Sequence, residues 1–155
     1  MNFPITTLAA DKTENFIYAG NKVGFLYVFK IHDNLLLLHK IIYEHSSEIN
    51  YIDVSDSLNI IATSSLDGFT NLYTYPQIKL FRSTRSDNLS IDNVLLSAYP
   101  LPSFILFSKK SKMFTCYSLN GKMLFKEEED CLYLLSPQVF TDFSFEDYLV
   151  TSSLI

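Results

Sequence analysis

The sequence has no tryptophan, and among its 155 residues only 4 are glycine, 5 are proline and 2 are cysteine. Few glycines and prolines, with 48% hydrophobic and 19% charged residues, exclude a disordered or low-complexity chain. Cys116 and Cys131 form no CxxC pair, so neither a disulfide framework nor a zinc site is predicted, and a reducing compartment is favoured. Apolar runs such as Leu35–Leu38 are far too short to cross a bilayer, which argues against direct membrane insertion.

Positive charge is also scarce. The net charge of −5 supplies neither phosphate neutralisation nor polybasic attraction, which argues against nucleic acid and anionic membranes as partners. The first residues (MNFPITTLAADK) lack the pattern of a signal peptide, so a cytoplasmic location is expected. The sequence has no glycine-rich phosphate loop and no G-x-S-x-G element, so no cofactor, metal or enzymatic activity is predicted.

What the sequence does contain is a period of 44 residues. Phe29, Tyr73 and Tyr117 are spaced by this step, and each ends an apolar, strand-like run. The segment Ile60–Leu66 (IIATSSL) recurs two periods later as Tyr148–Leu154 (YLVTSSL). Other apolar positions follow the same step: Phe16, Ile60 and Phe104; Ile17, Ile61 and Ile105; Leu8, Ile52 and Leu96. A strand-rich repeat of this length is typical of propeller blades, which usually form binding surfaces.

The central repeat shows four strands most clearly. The pattern predicts a first strand around Ile49–Val54, then Ile60–Ser65, Thr70–Tyr75 and Ile78–Thr84. Asp67-Gly68 between two apolar runs is a strong hairpin signal, because glycine tolerates positive φ.

We therefore predict an all-β chain: one incomplete β-propeller segment over residues 1–155, with about three and a half four-stranded antiparallel blades. The predicted blades cover residues 5–43, 45–85 and 89–128, followed by a half-blade at 139–155. Because a ring needs about four to eight blades, the remaining blades are expected in a longer parent chain.

The central blade carries polar residues at fixed offsets. His45 precedes the first strand, Ser65 ends the second, Asp67 begins the turn and Tyr73 lies on the third. This arrangement resembles the WD-repeat pattern. An imidazole held by a carboxylate can donate from one nitrogen and accept at the other, so these four residues are predicted to form a buried hydrogen-bond set.

The pattern departs from the WD repeat at two positions, since Tyr73 replaces the usual tryptophan and Thr74 the usual aspartate. Val23 and Ser111 occupy the Asp67 position in the neighbouring repeats, so those blades are predicted to depend on packing alone.

Two catalytic interpretations of these residues are disfavoured. His45, Asp67 and Ser65 could form a hydrolytic triad, but no oxyanion hole is indicated. A metal or two-carboxylate site on the innermost strands would need more than Asp53, which is their only carboxylate.

Candidate partner-binding residues are instead Lys22, Leu66 and Lys110, just before the Asp67-equivalent turns, although ordinary exposed turn residues would look the same.

Three stretches resemble a known family: His45–Arg85, Leu101–Glu127 and Asp142–Leu154, above all the Y-T-Y-P segment (Tyr73–Pro76) and the S-x-N-G-K-x-L element (Ser118–Leu124). They are similar to the C-terminal WD-repeat propeller of BEACH-domain proteins, in a divergent, protist-like form. The resemblance implies a non-catalytic scaffold that binds peptide segments of other proteins, in a parent protein of vesicle trafficking and membrane dynamics. Any membrane association would be peripheral, through that parent, where the BEACH module is also expected. The alternatives are a WD-repeat adaptor unrelated to BEACH proteins, a propeller enzyme, or an inert gene-model fragment.

Overall fold

The computed structural model describes residues 3–12, 15–33, 35–86 and 91–128. Every regular element in these ranges is a β-strand, twelve in all. Strands form because β-branched and aromatic residues alternate between two faces, and polar turn residues separate the runs. Within the same ranges, no helix is long and apolar enough to cross a membrane. The predicted half-blade at 139–155 lies outside the described residues.

The strands form three four-stranded antiparallel sheets, each in chain order from its innermost to its outermost strand. The first sheet, blade 1, contains β1 (Ile5–Ala10), β2 (Phe16–Asn21), β3 (Leu26–His32) and β4 (Leu35–Ile42). Blade 2 contains β5 (Ile49–Ser55), β6 (Ile60–Ser65), β7 (Phe69–Thr74) and β8 (Lys79–Arg85). Blade 3 contains β9 (Asn93–Ser97), β10 (Ser103–Ser108), β11 (Met113–Ser118) and β12 (Met123–Glu128). The predicted all-β, four-stranded, propeller-like architecture is confirmed.

The core lies between the blades rather than within one sheet. Tyr18 and Val28 of blade 1 pack with Ile61 and Tyr73 of blade 2 in one buried cluster. A second cluster joins the other face of blade 2 to blade 3, and the innermost strands β1, β5 and β9 lie side by side. Blade 2 thus buries one face against blade 1 and the other against blade 3, as in a propeller.

Repeated hydrogen bonds connect the innermost strands of successive blades. The Thr6 hydroxyl donates to the carbonyl of Ile49, and one period later the Asn50 side-chain amide donates to the carbonyl of Ile91. The backbone N–H of Lys12 donates to the carboxylate of Asp56, 44 residues later in the chain, at 3.1 Å. The blades are therefore held by polar contacts as well as by apolar packing.

The period of 44 holds for the third strands but slips within blade 3. Phe29, Tyr73 and Tyr117 each lie opposite an apolar residue of the second strand, but in blade 3 that residue is Phe104, not the predicted Ile105. On the innermost strand of blade 3, the residue equivalent to Ile52 is Val94, not the predicted Leu96, as the pairing with the second strand shows. The turns around β10 are longer than those around β6, so each adds one residue to the register.

Candidate functional site

A buried hydrogen-bond network connects the loop that enters blade 2 to its second hairpin. The His45 ring is nearly inaccessible; its Nδ1 lies 3.0 Å from Oδ2 of Asp67, and its Nε2 lies 2.8 Å from the hydroxyl of Thr63. The Asp67 carboxylate also accepts from the backbone N–H groups of Ser46 and Phe69, both at 2.9 Å. One carboxylate therefore fixes the incoming loop, the imidazole and the β6–β7 turn together.

Ser65 has a different role from the one predicted. Its hydroxyl donates to the carbonyl of Ser47 at 3.1 Å and accepts the backbone N–H of Asp67 at 3.1 Å, so it stabilises the turn, whereas the imidazole bonds to Asp67 and Thr63. Thr63, which the sequence analysis missed, occupies the position beside His45. The structure thus does not assemble His45, Asp67 and Ser65 as a hydrolytic triad.

Tyr73 lies in the same interior but is not tied into the network as predicted. Its hydroxyl is buried beside Asn71 and Thr63, yet makes no hydrogen bond of standard geometry within the described part of the chain. Burial raises the pKa of Tyr73 to about 12, so the phenol is neutral. The ring contributes mainly to packing, since it belongs to the cluster between blades 1 and 2.

Burial and hydrogen bonding set the charges in this network. Burial lowers the pKa of His45 below its ordinary value of 6.5, and outweighs the opposing effect of Asp67. The ring is therefore neutral at pH 7, with Nδ1–H donating to Asp67 and Nε2 accepting from Thr63. For Asp67, burial raises the pKa, but the N–H groups of Ser46 and Phe69 and the His45 ring lower it by more. The pKa of Asp67 therefore lies below its usual value.

Blade 1 stabilises its corresponding turn by another residue, and the prediction that it depends on packing alone is wrong. The buried Asn21 side chain accepts the backbone N–H groups of Val23 and Phe25 at 3.0 and 2.8 Å. An asparagine just before a turn, bonding the backbone two residues on, was the available signal. In blade 3, Asp92 accepts the N–H of Lys109 at 2.7 Å, again joining an incoming loop to the turn.

The three predicted rim residues lie in equivalent turns. Lys22, Leu66 and Lys110 are all exposed, and each lies in the turn between the second and third strands of its blade. Because the blades share one strand order and stand side by side, these turns lie at the same end of the array. We call this end, defined by Lys22, Leu66 and Lys110, the rim.

The rim turns are held against the connections between blades. A Cβ on Gly24, where φ is +94°, would lie 2.5 Å from the carbonyl oxygen of His45, so only glycine allows the blade 1 turn to reach the loop entering blade 2. The backbone N–H of Leu66 donates to the carbonyl of Glu48 at 3.0 Å. The exposed rim side chains therefore project from a backbone that is fixed by its surroundings.

Asp53, the carboxylate of the innermost strands, serves as a contact between blades. Its Oδ2 accepts the backbone N–H of Leu96 at 2.6 Å, and its Oδ1 accepts that of Val54 at 3.0 Å. Burial raises the pKa of Asp53 by more than these donors lower it. Among the described residues, no group of three or more His, Cys, Asp or Glu side chains is placed to hold a metal ion.

Comparison with protein-family models and with curated proteins gives no match for this chain. Function must therefore be inferred from the geometry of the blades.

Proposed function

We propose that this chain is part of a non-catalytic β-propeller scaffold that binds peptide segments of other proteins at its rim. The observation that carries the proposal is the rim itself: equivalent turns of three consecutive blades expose Lys22, Leu66 and Lys110 at one end of the array. Loops on a rigid scaffold are the usual place for recognition residues.

The chemistry of the rim favours an acidic or polar peptide with an apolar anchor. Lys22 and Lys110 each supply a positive charge on either side of the apolar side chain of Leu66. The carboxylate of Asp67 directly follows Leu66, but it is engaged by His45, Ser46 and Phe69, so it opposes an acidic ligand less than a free carboxylate would.

We infer further that the parent protein is of the BEACH type, with the remaining blades and the BEACH module elsewhere in it. This inference is supported by the resemblance of the Y-T-Y-P and S-x-N-G-K-x-L segments alone. It gives the chain a cytoplasmic role in vesicle trafficking, with peripheral attachment to membranes through the parent.

The test is binding of peptides to the full chain. A fluorescently labelled acidic peptide library would be screened for saturable binding by fluorescence polarisation, and the selected peptide titrated against variants. A triple variant, Lys22→Ala, Leu66→Ala and Lys110→Ala, is expected to weaken binding by roughly tenfold or more, because several contacts of about 1 kcal/mol are lost together.

A matched control comes from the opposite end of the blades. Ser57, Gln77 and Asn120 are exposed in turns there, and the triple alanine variant at these positions should bind as the unmodified chain does. Absence of any saturable peptide, or an equal loss in both triple variants, would contradict binding at the rim.

A further inference from the structure

The outermost strand of blade 1 has an unusual edge. Four consecutive leucines of β4 are about half exposed or more, so leucines project from both faces of the strand. Their exposed fractions are 63%, 57%, 48% and 53% for Leu35, Leu36, Leu37 and Leu38 in turn. β4 is the last strand of its sheet among the described residues, so the outer side of its backbone carries no ladder there. An exposed, apolar edge strand of this kind is a template for pairing with another strand.

The other two outermost strands carry more charge than β4, but by the strand pairing only Lys79 of β8 stands at the position of a leucine, Leu37. The charged residues are, in β8, Lys79, Arg82 and Arg85, and in β12, Lys126, Glu127 and Glu128. Charges at a sheet edge oppose pairing, because they would have to be desolvated. β4 therefore presents four consecutive exposed leucines, whereas β8 begins with Lys79, and β12 begins with two exposed apolar residues, Met123 and Leu124, and ends in three charges.

The residues that flank the leucines have opposite charges at the two ends. Asp33, whose side chain is 87% exposed, precedes them. Lys40 follows them; its ammonium donates to the neutral carbonyl of Ile78 at 2.7 Å, so its positive charge is not cancelled by that contact. Two β4 strands side by side in antiparallel orientation would bring Asp33 of each near Lys40 of the other, whereas a parallel pair would place like charges together.

We propose that β4 is a dimerisation strand, which pairs with β4 of a second copy of this chain in antiparallel orientation about a two-fold axis. The pair joins two blades into one eight-stranded sheet and places leucine against leucine on both faces. In an antiparallel pair, two opposite residues direct their backbone N–H and C=O groups either both toward the partner strand or both away from it. In a symmetric pair one residue must therefore lie opposite itself, so the two-fold axis passes beside Leu36 or Leu37. This proposal goes beyond peptide binding at the rim and does not depend on it.

The size of the contact sets the expected affinity. Eight residues of strand span about 26 Å, and a pair of this length with its leucines covers on the order of several hundred Å² per copy. That is small for a stable interface, so a reversible dimer with a Kd of roughly 10–100 µM is expected.

Sedimentation velocity on the full chain tests the proposal, from about 1 µM to about 200 µM so that the expected Kd is spanned. The unmodified chain should pass from monomer to dimer over this range. Leu37→Lys should weaken the dimer by at least about tenfold, because it places a charge at the paired edge. Since Leu37 is exposed in the monomer, this variant should fold normally, as circular dichroism would show.

Two further variants locate the contact. Phe81→Lys introduces the same charge at an exposed position of β8, and Leu8→Lys does so on the exposed face of blade 1, away from the β4 edge. Both should dimerise as the unmodified chain does. A chain that stays monomeric throughout would overturn the proposal, and so would loss of the dimer in Leu8→Lys, which would place the contact on the sheet face.

Cross-linking tests the orientation. Single cysteines at 35, 36, 37 and 38 would be oxidised with a copper–phenanthroline reagent, with the unmodified chain as the control for its own cysteines. A symmetric antiparallel pair predicts fast disulfide formation at only one of the two central positions, Leu36→Cys or Leu37→Cys. Equal cross-linking at all four positions would indicate a parallel pair and would refute the proposed arrangement.

Discussion

Replacing Asp67 by alanine removes one acceptor from three hydrogen bonds at once. These bonds come from Nδ1 of His45 and from the backbone N–H groups of Ser46 and Phe69. The carboxylate side chain is only 7% exposed and the imidazole side chain 1%, so the ring nitrogen has little access to replacement water. The variant therefore tests whether this network stabilises blade 2.

The expected loss follows from what each donor can do afterwards. A buried donor left without a partner costs about 1–3 kcal/mol, and this applies in full to the His45 nitrogen. Ser46 is exposed, so its N–H can bond to water, and the part-buried N–H of Phe69 contributes a further fraction. Asp67→Ala should thus lower the free energy of unfolding by about 2–4 kcal/mol, a large share of the roughly 5–15 kcal/mol of an ordinary domain.

Urea unfolding of the full chain measures this loss. Because the sequence has no tryptophan and 10 tyrosines, tyrosine fluorescence and far-ultraviolet circular dichroism are the suitable signals. Glu127→Ala, at an exposed position of β12, is the control and should change the free energy of unfolding by less than about 0.5 kcal/mol. Asp67→Asn should lose about 1–2 kcal/mol, because it keeps one acceptor oxygen for the turn.

A double-mutant cycle separates the His45–Asp67 contact from the rest. The sum of the losses in free energy of unfolding for His45→Ala and Asp67→Ala should exceed the loss for the double variant by about 1–3 kcal/mol, because either change alone already breaks the contact between the two residues. Strictly additive losses, or an Asp67→Ala variant as stable as Glu127→Ala, would refute the reasoning and make Asp67 an ordinary turn residue.

Three further predictions use the same unfolding measurement. Because burial lowers the pKa of His45, the unfolded chain binds the proton more tightly than the folded chain, and the free energy of unfolding should fall as pH decreases below about 6.5. His45→Gln should flatten this dependence between about pH 6.5 and 5, and an unchanged slope would contradict the prediction. Thr63→Val removes the hydroxyl beside Nε2 of His45 at nearly constant shape and should cost about 1–3 kcal/mol; no loss would mean that the imidazole is held by Asp67 alone. Ile52→Ala should cost about 2–4 kcal/mol and Leu8→Ala less than about 1 kcal/mol, because these equivalent positions are 5% and 67% exposed; equal costs would show that the face of blade 1 is covered in solution.

The strands of blade 2 could be predicted almost residue by residue. The second strand, Ile60–Ser65, is the predicted one, and the third begins one residue earlier than expected. Local signals suffice here, because each strand is an apolar run bounded by turn residues such as Asp67-Gly68, and neighbouring strands pair through short hairpins. The slip in blade 3 could not be predicted, since an added residue in a turn is invisible until the ladder shows which side chains lie opposite each other.

The candidate site was predictable in part for a similar reason. His45 and Asp67 are brought together as the spacing indicated. Thr63 and Ser65 are two residues apart on one strand, so both side chains point to the same face, and the sequence has no means of choosing between them. Only the path of the incoming loop decides that the imidazole reaches Thr63 while Ser65 meets the carbonyl of Ser47.

By itself, the sequence determined the period, the strands, the four-stranded blades and the turns that form the rim, because these depend on neighbours close in the chain. The tertiary structure decided which equivalent residues are buried. Leu8 and Ile52 occupy the same position in the repeat, yet Ile52 is covered by blade 1, whereas Leu8 is exposed. Burial is a property of what packs against a face, and residues 44 apart acquire different roles because their neighbours in space differ.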